Sequence, residues 1–243
     1  MNHVSQSRRV SAHALWELKL LIRNGEQLLL MFVIPVVLLI ALGLTNLSSQ
    51  KINTAVPTVF AVSVLATCFT SMAIGTGFER RSGALRYLGT TPLSRLDLIL
   101  GKLIATAALT LMSIIVVAIT GLFLHWQPSL AGIGIALVVM LISAAVWVAW
   151  ALAIAGFFRA EAVLAIANGL FLVFMIFGGV VIATSHMPNV VGKVVDFLPS
   201  AAMANGLRDA LETGSVPPLA IAVLIFWAAA GLWLAKRVFR WEP

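Results

Sequence analysis

Apolar and polar positions in this chain fall into blocks far longer than a strand or a surface helix needs. Apolar runs at about 27–44, 55–77, 98–124, 130–157, 162–183 and 216–235 alternate with short polar intervals. A helix needs about 20 such residues to cross a hydrocarbon core ~30 Å thick. The pattern therefore predicts an all-α membrane protein, six transmembrane helices in one domain covering 1–243. Pro35 lies inside the first run, where neighbouring helices can satisfy the carbonyl it frees. Ala145, Ala149 and Ala153 recur at every fourth position of the fourth run, which predicts a closely packed neighbour.

Three polar intervals carry structure of their own. Over 5–23, Val10, Ala14, Leu15, Leu18, Leu21 and Ile22 share one arc of a helical wheel, while Arg9, Lys19 and Arg23 lie off it with Trp16 and Leu20. This predicts an interfacial helix on the cytoplasmic leaflet, with Trp16 at headgroup depth. The interval 78–97 holds four cations (Arg80, Arg81, Arg86, Arg95) and two anions (Glu79, Asp97), and forms a handle outside the membrane. Its spacing predicts a helix from Glu79 to Leu88, a stop at Gly89, and a restart with Thr91 as N-cap and Pro92 at the first helical position. Such a restart ties the handle stiffly to the third span. The interval 184–215 is amphipathic and predicts an outer re-entrant or interfacial hairpin broken at Pro199. Phe197 and Leu198 precede that break, and Met203, Leu207 and Leu211 share one face after it.

Composition narrows the class. An apolar share of 61% exceeds the ~45–50% of soluble domains, and the mean hydropathy is +1.05. The formal charge of +7 follows topology instead of forming a nucleic-acid patch. Thirteen of the sixteen cations fall in the intervals assigned to the inside, and only Lys51, Lys193 and Arg208 fall outside. That bias predicts cytoplasmic termini in a plasma (inner) membrane protein, with no nucleic-acid partner. Lys102, near the inner end of the third span, is placed to snorkel toward water. Cys68 lies in an apolar run with no second cysteine to pair with. The first apolar run is about a full span long with no small-residue cleavage site after it, so the first helix is expected to stay.

The chemistry that is missing is informative too. The chain has no GxxxxGK[ST] phosphate loop, HExxH, CxxC or GxSxG, and His3, His13, His125 and His186 are scattered, each read as solvated or interfacial. No catalytic, cofactor-binding or metal-binding residue is expected, and the chain is read as no enzyme. No acid lies near the centre of a span, which argues against an ion-coupled carrier. Energy then has to enter from outside the membrane, and the handle is where it can. The second run is dotted with hydroxyls at Ser63, Thr67, Thr70, Ser71 and Thr76, and the fifth carries Asn168. Such residues usually serve close packing; the sharper alternative is that Ser63, Thr67, Thr70, Ser71 and Asn168 line a substrate path.

The run Glu79, Arg80, Gly83, Leu85, Leu88, Thr91, Pro92, Leu93, Ser94, Arg95, then Gly101 and Lys102, resembles the signature of the type-2 permease family of ATP-binding-cassette (ABC) exporters. A second match is Leu198 and Pro199, then Gly206, Leu207 and Arg208. The resemblance covers essentially the whole chain in the family's order. It implies a dimerising permease, with a second copy or a sister permease, seated on two ABC ATPase subunits that bind ATP and Mg. It further implies that Phe78, Glu79, Arg80, Arg81, Gly83, Leu85 and Leu88, with Thr91 and Pro92 behind them, form the ATPase-coupling segment. The hairpin around Pro199 and Arg208 caps the exit by the same resemblance. The short interval 45–54 lacks the large external domain some relatives carry. The resulting expectation is an exporter of hydrophobic or amphipathic molecules such as drugs, antibiotics or lipids. The alternative is a non-transporting scaffold or assembly factor that docks a cytosolic protein.

Overall fold

A computed structural model describes residues 5–44, 52–91 and 93–238. Within them every regular element is a helix. The chain runs through α1 (Gln6–Arg23), α2 (Gly25–Leu44), α3 (Ile52–Val64), a π-helical segment (Leu65–Ser71), α4 (Met72–Arg81), α5 (Ala84–Gly89), α6 (Arg95–Phe123), α7 (Leu130–Phe157), α8 (Ala160–Ile176), α9 (Asn189–Val195), α10 (Pro199–Thr213) and α11 (Pro218–Val238). Residues α3 through α4 form one unbroken helix. Four helices are long and apolar enough to cross a membrane: Ile52–Arg81, Leu96–Phe123, Leu130–Phe157 and Pro218–Val238. Two further apolar helices, Met31–Gly43 and Ala160–Ile176, are shorter. The molecule is thus an all-helical membrane protein; the short interval 45–51 and the tail beyond Val238 lie outside the described residues.

Two ends can be told apart by their contacts. The handle end gathers α1, α5, the start of α6 and the α7–α8 turn. The far end gathers the α6–α7 turn with α9 and α10: Gln127 N–H donates to Asn53 Oδ1 (3.0 Å), and Ser129 N–H donates to the Leu211 carbonyl (2.8 Å).

The fifth apolar run departs from expectation. Its helix stops at Ile176 instead of continuing to 183. Gly178 and Gly179 end it: a Cβ on Gly178 would sit 2.5 Å from the Phe174 carbonyl, and Gly179 has φ +78°. The carbonyls freed by the break are taken by Arg208, whose Nη1 donates to Gly179 O (3.1 Å) and whose Nη2 donates to Val180 O and to Thr58 Oγ1 (3.2 Å). Chain that would have finished a span turns back onto α10 instead.

α10 begins with Pro199 at its first helical position, as its fixed φ favours. Met203, Leu207 and Leu211 are all buried, in line with the periodicity, and α10 packs against α3, α7 and α11. Gly214, at φ +75°, closes it as a left-handed C-cap. The tightest approach is at Gly132 of α7, where a Cβ would collide with the Ala210 carbonyl. Gly132→Ala must therefore push α10 off α7. We expect it to cost ~1–3 kcal/mol, the usual range for overpacking, read as a lower denaturation midpoint of the purified protein, whereas Gly134→Ala, with nothing within 4 Å, leaves the midpoint in place.

Candidate functional site

The handle is built differently from its sequence pattern. Helix α4 ends at Arg81, and Ser82–Gly83 turns the chain, with Gly83 at φ +77°, into the six-residue α5. The uninterrupted helix expected from Glu79 to Leu88 is thus broken at the one position that tolerates a left-handed φ. The restart also differs. Ser94, not Thr91, is the N-cap of α6: its Oγ accepts from Asp97 N–H (3.1 Å) while Asp97 Oδ2 accepts from Ser94 N–H (3.1 Å), a complete capping box. A Ser three residues before an Asp outcompetes a lone Thr before Pro because it satisfies two orphan donors. Thr91 instead donates to the Leu88 carbonyl (2.6 Å), and Pro92 lies outside the described residues.

Helix α1 packs along the first turns of α6, and the two run parallel: Arg9 Nε donates to Asp97 Oδ2 (3.0 Å), and His13 lies against Gly101. Its buried face is Val10, His13, Ala14 and Glu17, while Leu15 and Ile22, expected on the apolar arc, are 68% and 45% exposed. The reason lies in α6. Lys102, expected to reach for water, is 1% exposed; its ammonium donates to Glu17 Oε1 and is bridged to Glu79 (2.8 and 3.0 Å). A lone ammonium at that depth is too costly. Two carboxylates, one from α1 and one from α4, converge on it, and α1 rotates to deliver its one acid.

His13 is likewise buried, contrary to its expected solvated state, and its Nε2 has no partner among the described residues. A Cβ on Gly101 would collide with its ring, so only glycine allows α1 this close. Burial holds the His13 imidazole below its ordinary range, opposed by the Glu17 carboxylate and helped by Lys102.

The other expected coupling residues divide into anchors and surface. Arg80 is buried and donates to the carbonyls of Gly156 (2.6 Å) and Phe158 (2.5 Å), fastening α4 to the end of α7. Leu85 is wholly buried and Leu88 half-buried. Arg81 pairs with Glu161 in the open, while Phe78 and Tyr87 are exposed.

Above the handle lies a cleft. A cavity of about 710 Å³ is lined by Ser63, Thr67, Thr70, Ser71 and Asn168 together with Pro35 and Phe171. The structure thus brings all five expected path residues into one space, between α2, the π-helical segment and α8. Ser63 donates to the Val59 carbonyl (2.8 Å), whereas the Thr70 hydroxyl has no partner among the described residues. The π segment was invisible in the sequence. Its behind-the-cleft support is aromatic: Phe69 packs edge-on to Trp147 (5.4 Å) and Phe174 (6.3 Å), which also meet each other (5.2 Å).

The profile of the ABC-2 type transporter family matches residues 10–211. The chain belongs to the ABC-2 type transporter family. No curated protein matches it. The matched stretch takes in α1, the handle, the cleft and nearly all of α10. As the membrane component of an ABC-2 type transporter, the chain is the permease part and not the ATPase.

Two outcomes are expected. Lys102→Met strands the buried Glu17 carboxylate beside the partly exposed Glu79 and costs ~3–5 kcal/mol, while Arg81→Ala, at an exposed pair, costs ~0–1 kcal/mol; denaturation midpoints of the two purified variants check the contrast. Because His13 is held neutral in the folded protein, its contribution is fully present above its ordinary pKa of 6.5 and declines as pH falls below it. Protection of the α1 amides, with exchange taken against its intrinsic rate at each pH, should therefore fall as pH drops below about 6.5, and His13→Gln should flatten that dependence.

Proposed function

We propose that this ABC-2 type permease is the transmembrane half of an ATP-driven exporter that moves hydrophobic or amphipathic molecules, such as drugs, antibiotics or lipids, across the plasma membrane. ATP and Mg bind on two separate ABC ATPase subunits, and the permease pairs with a second copy or a sister permease. The handle end faces the cytoplasm, since the cations concentrate there. Met31–Gly43 and Ala160–Ile176, shorter apolar helices, complete six crossings.

The observation that carries this reading is the adjacency of the cleft and the handle. The 710 Å³ cleft is in the range of sites for drug-sized ligands, and Gly75 of α4 lines it four residues before Glu79. The exposed Phe78, Arg81 and Tyr87 offer an ATPase a surface to grip. Their neighbours Arg80 and Leu85 are buried and Glu79, partly covered, is bridged to Lys102, so a push on the handle reaches α6 and α7 through short contacts. The hairpin of α9 and α10, held by Arg208, closes the outer side.

Purification from the native membrane tests this. An ATPase subunit should come with the permease and be lost when 78–88 is scrambled. In the reconstituted complex Glu79→Ala should leave assembly intact and abolish most cargo-stimulated ATP hydrolysis. A permease that arrives alone and shows no ATP dependence would mean that the chain is a docking scaffold instead.

A further inference from the structure

We propose that the cleft selects cationic amphiphiles, with the ammonium or amidinium head held at the Glu17–Lys102–Glu79 cluster and the apolar body lying along the π-helical segment. The proposal rests on the reading of the cleft as the cargo path. A second cavity, about 450 Å³, opens at the handle end and is lined by Glu17, Glu79, Lys102 and Thr106. It shares Asn24, Thr67, Ser71 and Gly75 with the deeper 710 Å³ cavity, so the two adjoin along these residues, charged at the handle and uncharged beyond.

The charge of the polar part decides what it takes. Two carboxylates face one ammonium, a net charge of −1. Lys102 is buried and already serves both acids, whereas Glu79 keeps 32% of its side chain exposed. The charge a newcomer meets is therefore an anion. Thr106, 2% exposed, lines the same cavity with a hydroxyl that has no partner among the described residues, and its oxygen can accept an N–H from an incoming head. A carboxylate or phosphate head would meet two carboxylates and no available cation.

The far end repeats the sign. A cavity of about 460 Å³ there is lined by Asp196, Asp209 and Glu212 against Arg208, whose two terminal nitrogens donate to the Gly179 and Val180 carbonyls. Five of the chain's nine acids thus face these two polar cavities, in a protein of formal charge +7. The molecule as a whole attracts anions while its cavities favour cations, so the preference belongs to the cavities and not to the net field.

The test uses the full chain in nanodiscs of phosphatidylcholine, without ATPase or nucleotide, with empty discs as background. Dodecylamine bearing a terminal dansyl reporter is titrated beside the matching dodecanoic acid and dodecanol. The amine should bind about tenfold or more tighter than the acid. Glu79→Gln should remove most of that advantage without weakening the alcohol, Glu79→Asp should retain it, and Thr106→Val should weaken the amine alone. Asn168→Trp, at the cleft mouth, should weaken all three. Equal binding of amine and acid, or an amine indifferent to Glu79→Gln, overturns the headgroup assignment. Indifference of all three probes to Asn168→Trp overturns the cleft as the binding space.

Discussion

An ammonium with no access to water dictates much of this molecule. Lys102 sits a turn or two inside an apolar helix, where its desolvation costs several kcal/mol unless it is surrounded by opposite charge. Glu17 and Glu79 supply that charge from segments 85 and 23 residues earlier in the chain. To bring Glu17 there, α1 has to run beside α6, and to come that close it needs Gly101 under His13 and Asp97 under Arg9. The amino-terminal helix, the end of the second span and the start of the third are therefore one ionic joint. Moving any of the three alone exposes an unpaired charge to a dry surrounding.

The second constraint is the π-helical stretch of seven residues. An i→i+5 turn widens the helix and shifts the side chains that follow it, which is why such turns collect at working sites. Here it carries Thr67, Thr70 and Ser71 to the cleft while Phe69 is sent the other way, into the aromatic cluster with Trp147 and Phe174. The hydroxyl side faces space and the aromatic side faces core.

Much of this was legible in the chain because it follows from burial and period alone. The apolar runs, the face of Met203, Leu207 and Leu211, the break at Pro199 and the gathering of Ser63, Thr67, Thr70, Ser71 and Asn168 all come from which residues can face lipid, core or space. What was not legible depends on partners. The wheel for α1 gives Glu17 no place, and His13 reads as solvated or interfacial when polarity is taken for exposure, although a single acid in a basic helix and a single lysine in an apolar span are each a sign of pairing. A proline at a first helical position points to Thr91 as the handle's restart, while Ser94 with Asp97 closes two hydrogen bonds. The fifth helix stops early because Arg208, thirty residues on, caps its broken end. No local pattern announces a π turn.

Magnitudes say which contacts can carry work. Shifting a two-state protein from 1:99 to 99:1 takes ~5.5 kcal/mol of differential interaction, and a joint weaker than the load it transmits gives way first. The open Arg81–Glu161 pair, both partners more than half exposed, is worth ~0–1 kcal/mol and cannot hold. Breaking the Lys102 cluster by removing one partner costs ~3–5 kcal/mol, and Arg80 adds two charge-assisted hydrogen bonds to carbonyls in a buried setting. A displacement of the handle therefore runs along two lines. One passes through Glu79 and Lys102 to α6 and α1; the other passes through Arg80 to the end of α7. Both start within five residues of Gly75, which lines the cleft, so the same short length of α4 that feels the handle also shapes the space above it.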